Sequence, residues 1–112
     1  MSRPPRQYYD DGQVQLDRFA LTLRRYHFPS GTAKVIPLRA IQGYRAEPLG
    51  LVLQRFRIWG SSDLQRWLPL DVRRPLRSTL VTLDVPGTWP SPAFTPSDPE
   101  AFLAMLAEVL ET

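Results

Sequence analysis

The stretch Phe56-Arg57-Ile58-Trp59-Gly60-Ser61-Ser62-Asp63-Leu64-Gln65-Arg66-Trp67-Leu68-Pro69-Leu70 decides the fold. Two apolar arms, each with a tryptophan, flank the polar turn Ser61-Ser62-Asp63. In the first arm, Leu51–Gly60, the residues Val52, Phe56 and Ile58 share one face of a strand. Leu51, Leu53, Arg55, Arg57 and Trp59 share the other, which passes from apolar to cationic as a strand does on leaving a core for a rim. The second arm carries Trp67, Leu68 and Leu70, and Pro69, which has no N–H to donate, assigns it to a sheet edge or bulge. This is the pattern of a central β-hairpin.

Strands precede it. Val14 and Leu16 alternate with Gln13, Gln15 and Asp17, and after a break Phe19, Leu21 and Leu23 alternate with Ala20, Thr22 and Arg24. Tyr26, His27 and Phe28 extend that strand to the turn Pro29-Ser30-Gly31-Thr32, and Ala33–Ile36 returns from it. Residues 37–41 read as a strand exit through irregular or helical backbone, and Gln42–Glu47 as a further strand. Behind the hairpin, Ser78–Val85 is a strand with Leu80 and Thr82 on one face and Val81, Leu83 and Val85 on the other. Pro86-Gly87-Thr88-Trp89-Pro90-Ser91-Pro92 is a semi-rigid loop, and Ala93-Phe94-Thr95 runs beside the sheet. A helix then begins at Ser97 or Asp98: Ser97 with Glu100 fits a capping box, and Asp98 before Pro99 fits an N-cap with proline at the first helical position. Phe102, Leu103, Leu106, Val109 and Leu110 form its apolar stripe, and burying them contributes about 8–15 kcal/mol before entropy. The sum is about seven strands and one C-terminal helix.

A chain of 112 residues is long enough for one core without disulfides or metal. Residues 13–112 form the expected domain. Residues 1–12 read as a flexible tail, with Pro4-Pro5 at its start and the turn signal Asp10-Asp11-Gly12 at its end. The absence of cysteine excludes a disulfide framework, a thiolate zinc site and a cysteine nucleophile. Residues 1–7 lack the apolar segment of a signal peptide, so a cytoplasmic address is expected. The apolar run Leu49–Leu53 is far shorter than the roughly 20 residues a membrane span needs.

Charge is uneven. Residues 18–77 hold twelve cations against three acids, whereas residues 78–112 hold five acids and no cation. A basic body makes anionic partners conceivable. Arg73, Arg74 and Arg77 cluster in the connection after the hairpin and are the expected anion-binding residues, with Arg39 and Arg45 as helpers for weak, salt-sensitive attraction to anionic lipid. Trp59 and Trp67 are the expected partner surface, because tryptophan is enriched in interface anchors; Trp89 is a third such anchor. The alternation puts Phe56 opposite its flanking arginines, so a nucleic-acid stacking platform is not expected. His27 has no nucleophile motif around it, and no metal-ligand spacing or Gly-rich phosphate loop is present. No catalytic residue, metal or cofactor is expected.

The order of elements resembles the pleckstrin-homology (PH)-like fold, and more specifically a bacterial PH-domain family. The resemblance is carried by Leu21-Thr22-Leu23, Phe28-Pro29-Ser30-Gly31, Ile36-Pro37-Leu38-Arg39-Ala40-Ile41, Arg57-Ile58-Trp59-Gly60, and Phe94-Thr95-Pro96-Ser97-Asp98-Pro99-Glu100 leading into Phe102-Leu103. It implies a seven-stranded antiparallel sandwich or partial barrel capped by the C-terminal helix. It also implies a bacterial, non-enzymatic domain acting through protein contacts or self-assembly. Neither Asp17-Arg18 nor Arg24-Arg25 fits the basic loop of phosphoinositide-binding relatives, so anionic head groups or another phosphorylated ligand are the alternative.

Overall fold

The computed structural model describes residues 9–27, 29–48, 66–71, 74 and 77–111. Among them are eight strands and one helix: β1 (Tyr9–Asp10), β2 (Val14–Leu16), β3 (Ala20–Leu23), β4 (Lys34–Pro37), β5 (Gly43–Pro48), β6 (Arg66–Trp67), β7 (Thr79–Asp84), β8 (Ser91–Phe94) and α1 (Pro99–Glu111). A 3-10 turn, Leu38–Ala40, follows β4, where the sequence reading placed a helical or irregular exit. The result is mainly β and sandwich-like, with two four-stranded sheets in the orders β1-β2-β3-β4 and β5-β7-β8-β6. The first arm of the expected central hairpin and its turn, with Trp59, lie outside the described residues, and so does Arg73.

Aspartates set the first sheet. Asp11 Oδ1 accepts the amides of Gln13 (2.9 Å) and Val14 (2.8 Å), with Gly12 at φ 90° beside it, and this turn joins β1 to β2. Asp17 Oδ1 accepts the amides of Phe19 (2.7 Å) and Ala20 (2.9 Å) and turns β2 into β3. Such carboxylate turns satisfy amides that a tight reversal leaves unpaired. The register Leu16↔Leu21 and Leu21↔Ile36 then stacks Val14, Leu16, Leu21, Leu23 and Ile36 inward, and Gln15, Thr22 and Val35 fall on the opposite face.

Two expectations change here. Among the described residues the sheet already includes Tyr9, ahead of the expected boundary after Gly12: Tyr9 pairs with Leu16 and is buried in the core, and residues 1–8 of the expected tail lie outside the described residues. Phe19, expected inward, is 77 % exposed, because it belongs to the Asp17 turn and the strand alternation starts only at Ala20.

In the second sheet, β7 is buried on both faces. Val81 and Leu83 join Phe94 and the helix in the main core, while Leu80 packs with Leu68 and Ala93 in a second, smaller one. β5 pairs antiparallel to β7 from Gly43↔Asp84 to Pro48↔Thr79. β6 and β8 run parallel, with Trp67 opposite Pro92. This departs from an all-antiparallel sheet. β6 does run opposite to β7, as the sequence order suggests, but β8 is inserted between them, folded back from β7 by the proline-rich loop.

Helix α1 starts at Asp98, whose Oδ1 accepts the Ala101 amide at 3.2 Å with Pro99 at the first helical position. The Ser97 amide instead donates to Asp11 Oδ2 at 2.9 Å. Phe102, Leu106 and Val109 are buried, and the Phe102 ring meets Tyr9 and Phe94 edge-on at 5.3 and 5.2 Å. Among the described residues, no helix is long and apolar enough to cross a membrane.

Candidate functional site

Strand alternation carried past β3 would turn positions 25 and 27 inward with Leu21 and Leu23. The chain turns instead at Arg24-Arg25, with Arg25 in the left-handed region at φ 56°. This offset buries Tyr26 and exposes His27. The amides of Tyr26 and His27 both donate to Thr32 O (3.0 and 3.1 Å), and the Gly31 amide donates to His27 O (2.7 Å), closing the loop toward β4. β6 is then locked onto the turn. Trp67 Nε1 donates to Tyr26 O at 2.8 Å, and the Leu70 amide donates to Arg25 O at 2.8 Å.

Across from this turn stands the loop 86–90, where Gly87 has φ 86° and the Thr88 amide donates to Val85 O at 3.0 Å. Between loop and turn lies a cleft of about 330 Å³, lined by Tyr26, His27, Lys34, Trp67, Thr88, Trp89 and Pro90. Trp89, on the cis Trp89-Pro90 peptide, is 70 % exposed. Trp67 is half-buried, with its ring 6.4 Å from that of Tyr26, and the His27 ring stands edge-on to Tyr26 at 5.2 Å. Lys34 Nζ lies 5.7 Å from the centre of the Tyr26 ring, within reach of a cation–π attraction. Burial pushes the Tyr26 hydroxyl up to about 12, so it is neutral at physiological pH. Among the described residues the cleft is therefore aromatic-walled, cationic at Lys34, and lined by no acid.

Trp67 is thus the expected partner residue that the structure places on a cleft, and Trp89 is its companion. The arginines go elsewhere. Arg74 is fully buried: its Nε donates to Thr95 Oγ1 (3.3 Å) and its Nη2 to Pro69 O (3.0 Å). Thr95 Oγ1 donates in turn to Asp71 Oδ2 (3.3 Å), which also accepts from Arg77 Nε at 3.3 Å. Burial lowers Arg74 to about 10, against the pull of Asp71, so it remains a cation at neutral pH. Of the expected anion-binding trio, Arg74 and Arg77 are turned to the internal partners Thr95, Pro69 and Asp71, and Arg73 lies outside the described residues. Sequence spacing carried no signal for this, since Asp71 and Thr95 are far apart along the chain.

A second concavity, of about 680 Å³, lies where the β2–β3 turn and the 3-10 turn meet the end of α1. Arg18, Phe19, Leu38, Arg39, Glu108, Val109 and Leu110 line it. Among the described residues no cluster of three His, Asp or Glu side chains is placed to hold a metal ion. Comparison with protein-family models, with curated proteins and with solved structures finds no match to this chain.

Proposed function

We propose that the chain is a non-catalytic, PH-like interaction module of a bacterial cytoplasm, working through protein–protein contact or self-assembly at the aromatic cleft. Trp89 carries the reading. An indole left 70 % exposed beside a second, half-buried indole keeps a large apolar surface in water, and such residues supply much of the binding energy where proteins meet. Two four-stranded sheets with a helix at the C-terminal end support the PH-like assignment. The non-catalytic assignment rests on a single histidine and no cysteine.

Sedimentation velocity over a concentration series tests self-assembly, and selection of random linear peptides tests partner binding. Trp89→Ala is the control in both. Loss of either activity in that variant, with an unchanged melting temperature, is the expected result. Failure of the wild type in both assays removes the reading.

The alternative, an anionic head group or phosphorylated ligand, has one observation in its favour. Arg18 and Arg39 line the 680 Å³ groove together with Glu108 and the exposed ring of Phe19, so two cations against one acid beside an apolar ring favour an anionic lipid surface. Co-sedimentation with neutral and anionic vesicles at low and physiological salt decides it, with Arg18→Glu/Arg39→Glu as control.

A further inference from the structure

We infer that the cleft between Trp67 and Trp89 takes an extended, acidic peptide segment, seating a proline or aromatic side chain between the indoles and a carboxylate against Lys34. This deepens the interaction-module reading and rests on it. Three features of the cleft converge on that ligand.

The first is its walls. Trp67, Trp89, Tyr26 and Pro90 are flat or rigid faces, the lining that holds polyproline-like peptides, whose backbone enters already extended and loses little entropy on binding. The second is its size. At about 330 Å³ the cleft is at the lower end of the roughly 300–1,000 Å³ of ligand pockets, which suits one or two side chains of an extended chain rather than the face of a helix. The third is its charge. Among the described residues no lining residue is acidic, Lys34 makes no ion pair, and Arg25, one position before Tyr26, is exposed. A carboxylate entering here meets a cation without displacing an existing partner, so charge selects acidic over basic segments. Trp67 Nε1 is already engaged by Tyr26 O. Lys34 Nζ, the Thr88 hydroxyl and the His27 imidazole are the groups on the lining that can orient a peptide.

The test begins with random linear peptides selected on the wild-type chain and counter-selected on Trp89→Ala. Survivors are resynthesised with each Asp or Glu changed to Lys, and affinities are measured by fluorescence anisotropy against wild type, Lys34→Gln and Lys34→Glu. Survivors should carry an acid within a few residues of a proline or aromatic residue. Reversing that acid should weaken binding to wild type by about tenfold, and Lys34→Glu should restore it. Neutral or basic survivors, or an unchanged preference in Lys34→Glu, overturn the acidic-peptide inference and leave the interaction module standing. If nothing survives counter-selection while an oligosaccharide or a second copy of the chain occupies the cleft, the peptide ligand itself is overturned.

Discussion

Arg74 shows how one side chain can be spent on the fold. A guanidinium presents several donors in a rigid fork, and here two of them reach Thr95 Oγ1 and Pro69 O while the Asp71 charge favours the cation and Arg77 opposes it. Removing Arg74 leaves Thr95 Oγ1 and Pro69 O without these donors while Asp71 keeps Arg77, at a cost of about 1–3 kcal/mol. Urea unfolding of Arg74→Ala should show a loss of that size, and Arg74→Lys should recover little of it, since one ammonium cannot reproduce the fork. Arg25 makes the opposite case. A non-glycine residue in the left-handed region carries about 1–2 kcal/mol of strain, so Arg25→Gly should gain up to about 1 kcal/mol after the extra chain entropy of glycine is subtracted. Arg25→Val should lose stability, because a β-branched residue tolerates that backbone least. A thermal melt separates the two directions. Nothing in Arg24-Arg25-Tyr26 announces the turn, which is why the strand reading ran through to Phe28. The carbonyl of the left-handed residue is held by the Leu70 amide, which is far along the chain.

At the scale of elements, Asp11 joins the β1–β2 turn to the start of α1. Its carboxylate accepts from the amides of Ser97, Val14 and Gln13 and from the Tyr9 hydroxyl, and Tyr9 Oη in turn accepts from the Asp98 amide at 3.2 Å. Burial acts to raise the Asp11 carboxyl, but the Ser97 amide, the Tyr9 hydroxyl and the turn amides outweigh it and hold it below its ordinary value. The same set pushes Tyr9 up to about 12, burial first and Asp11 second. A carboxyl depressed in the folded state adds stability that is complete above its unfolded value and lost as pH falls through its folded value. Asp11→Asn should therefore cost about 1–2 kcal/mol near neutrality, the lower end applying because the group is only half-buried. The gap to wild type should close below about pH 4, as urea midpoints across pH would show. Removing the helix cap with Asp98→Ala should cost about 0.5–2 kcal/mol in the same unfolding measurement. The helix start was legible with two caps open, Ser97 and Asp98, and the structure selects Asp98 with proline at the first helical position. The Asp11 link was not, because a turn aspartate looks the same whether or not a distant amide arrives beside it.

For the whole molecule, the described residues bury their apolar side chains in two clusters, on opposite faces of β7. The main core joins the first sheet, the inner face of β7 and α1, and Leu106 is fully buried within it. Leu106→Asp places an unpaired charge there and should abolish cooperative folding, visible as loss of the thermal transition in circular dichroism. The smaller core of Leu68, Leu80 and Ala93 lies on the far side of β7. Other cations are spent across strands, Arg24 on Asp10 at 3.2 Å and Arg66 on Glu47 at 3.6 Å. The sequence by itself determined the period-two strands, the aspartate and glycine turns, the capped helix and its buried stripe, because these follow from side-chain alternation, local amide satisfaction and helical spacing. Tertiary structure alone decided that β8 separates β6 from β7, that Arg74 turns inward, and that Trp67 meets Trp89 across a cleft beside Lys34. Each of these depends on chain segments distant in sequence competing for the same sheet face, where packing and charge burial, rather than local preference, select the winner.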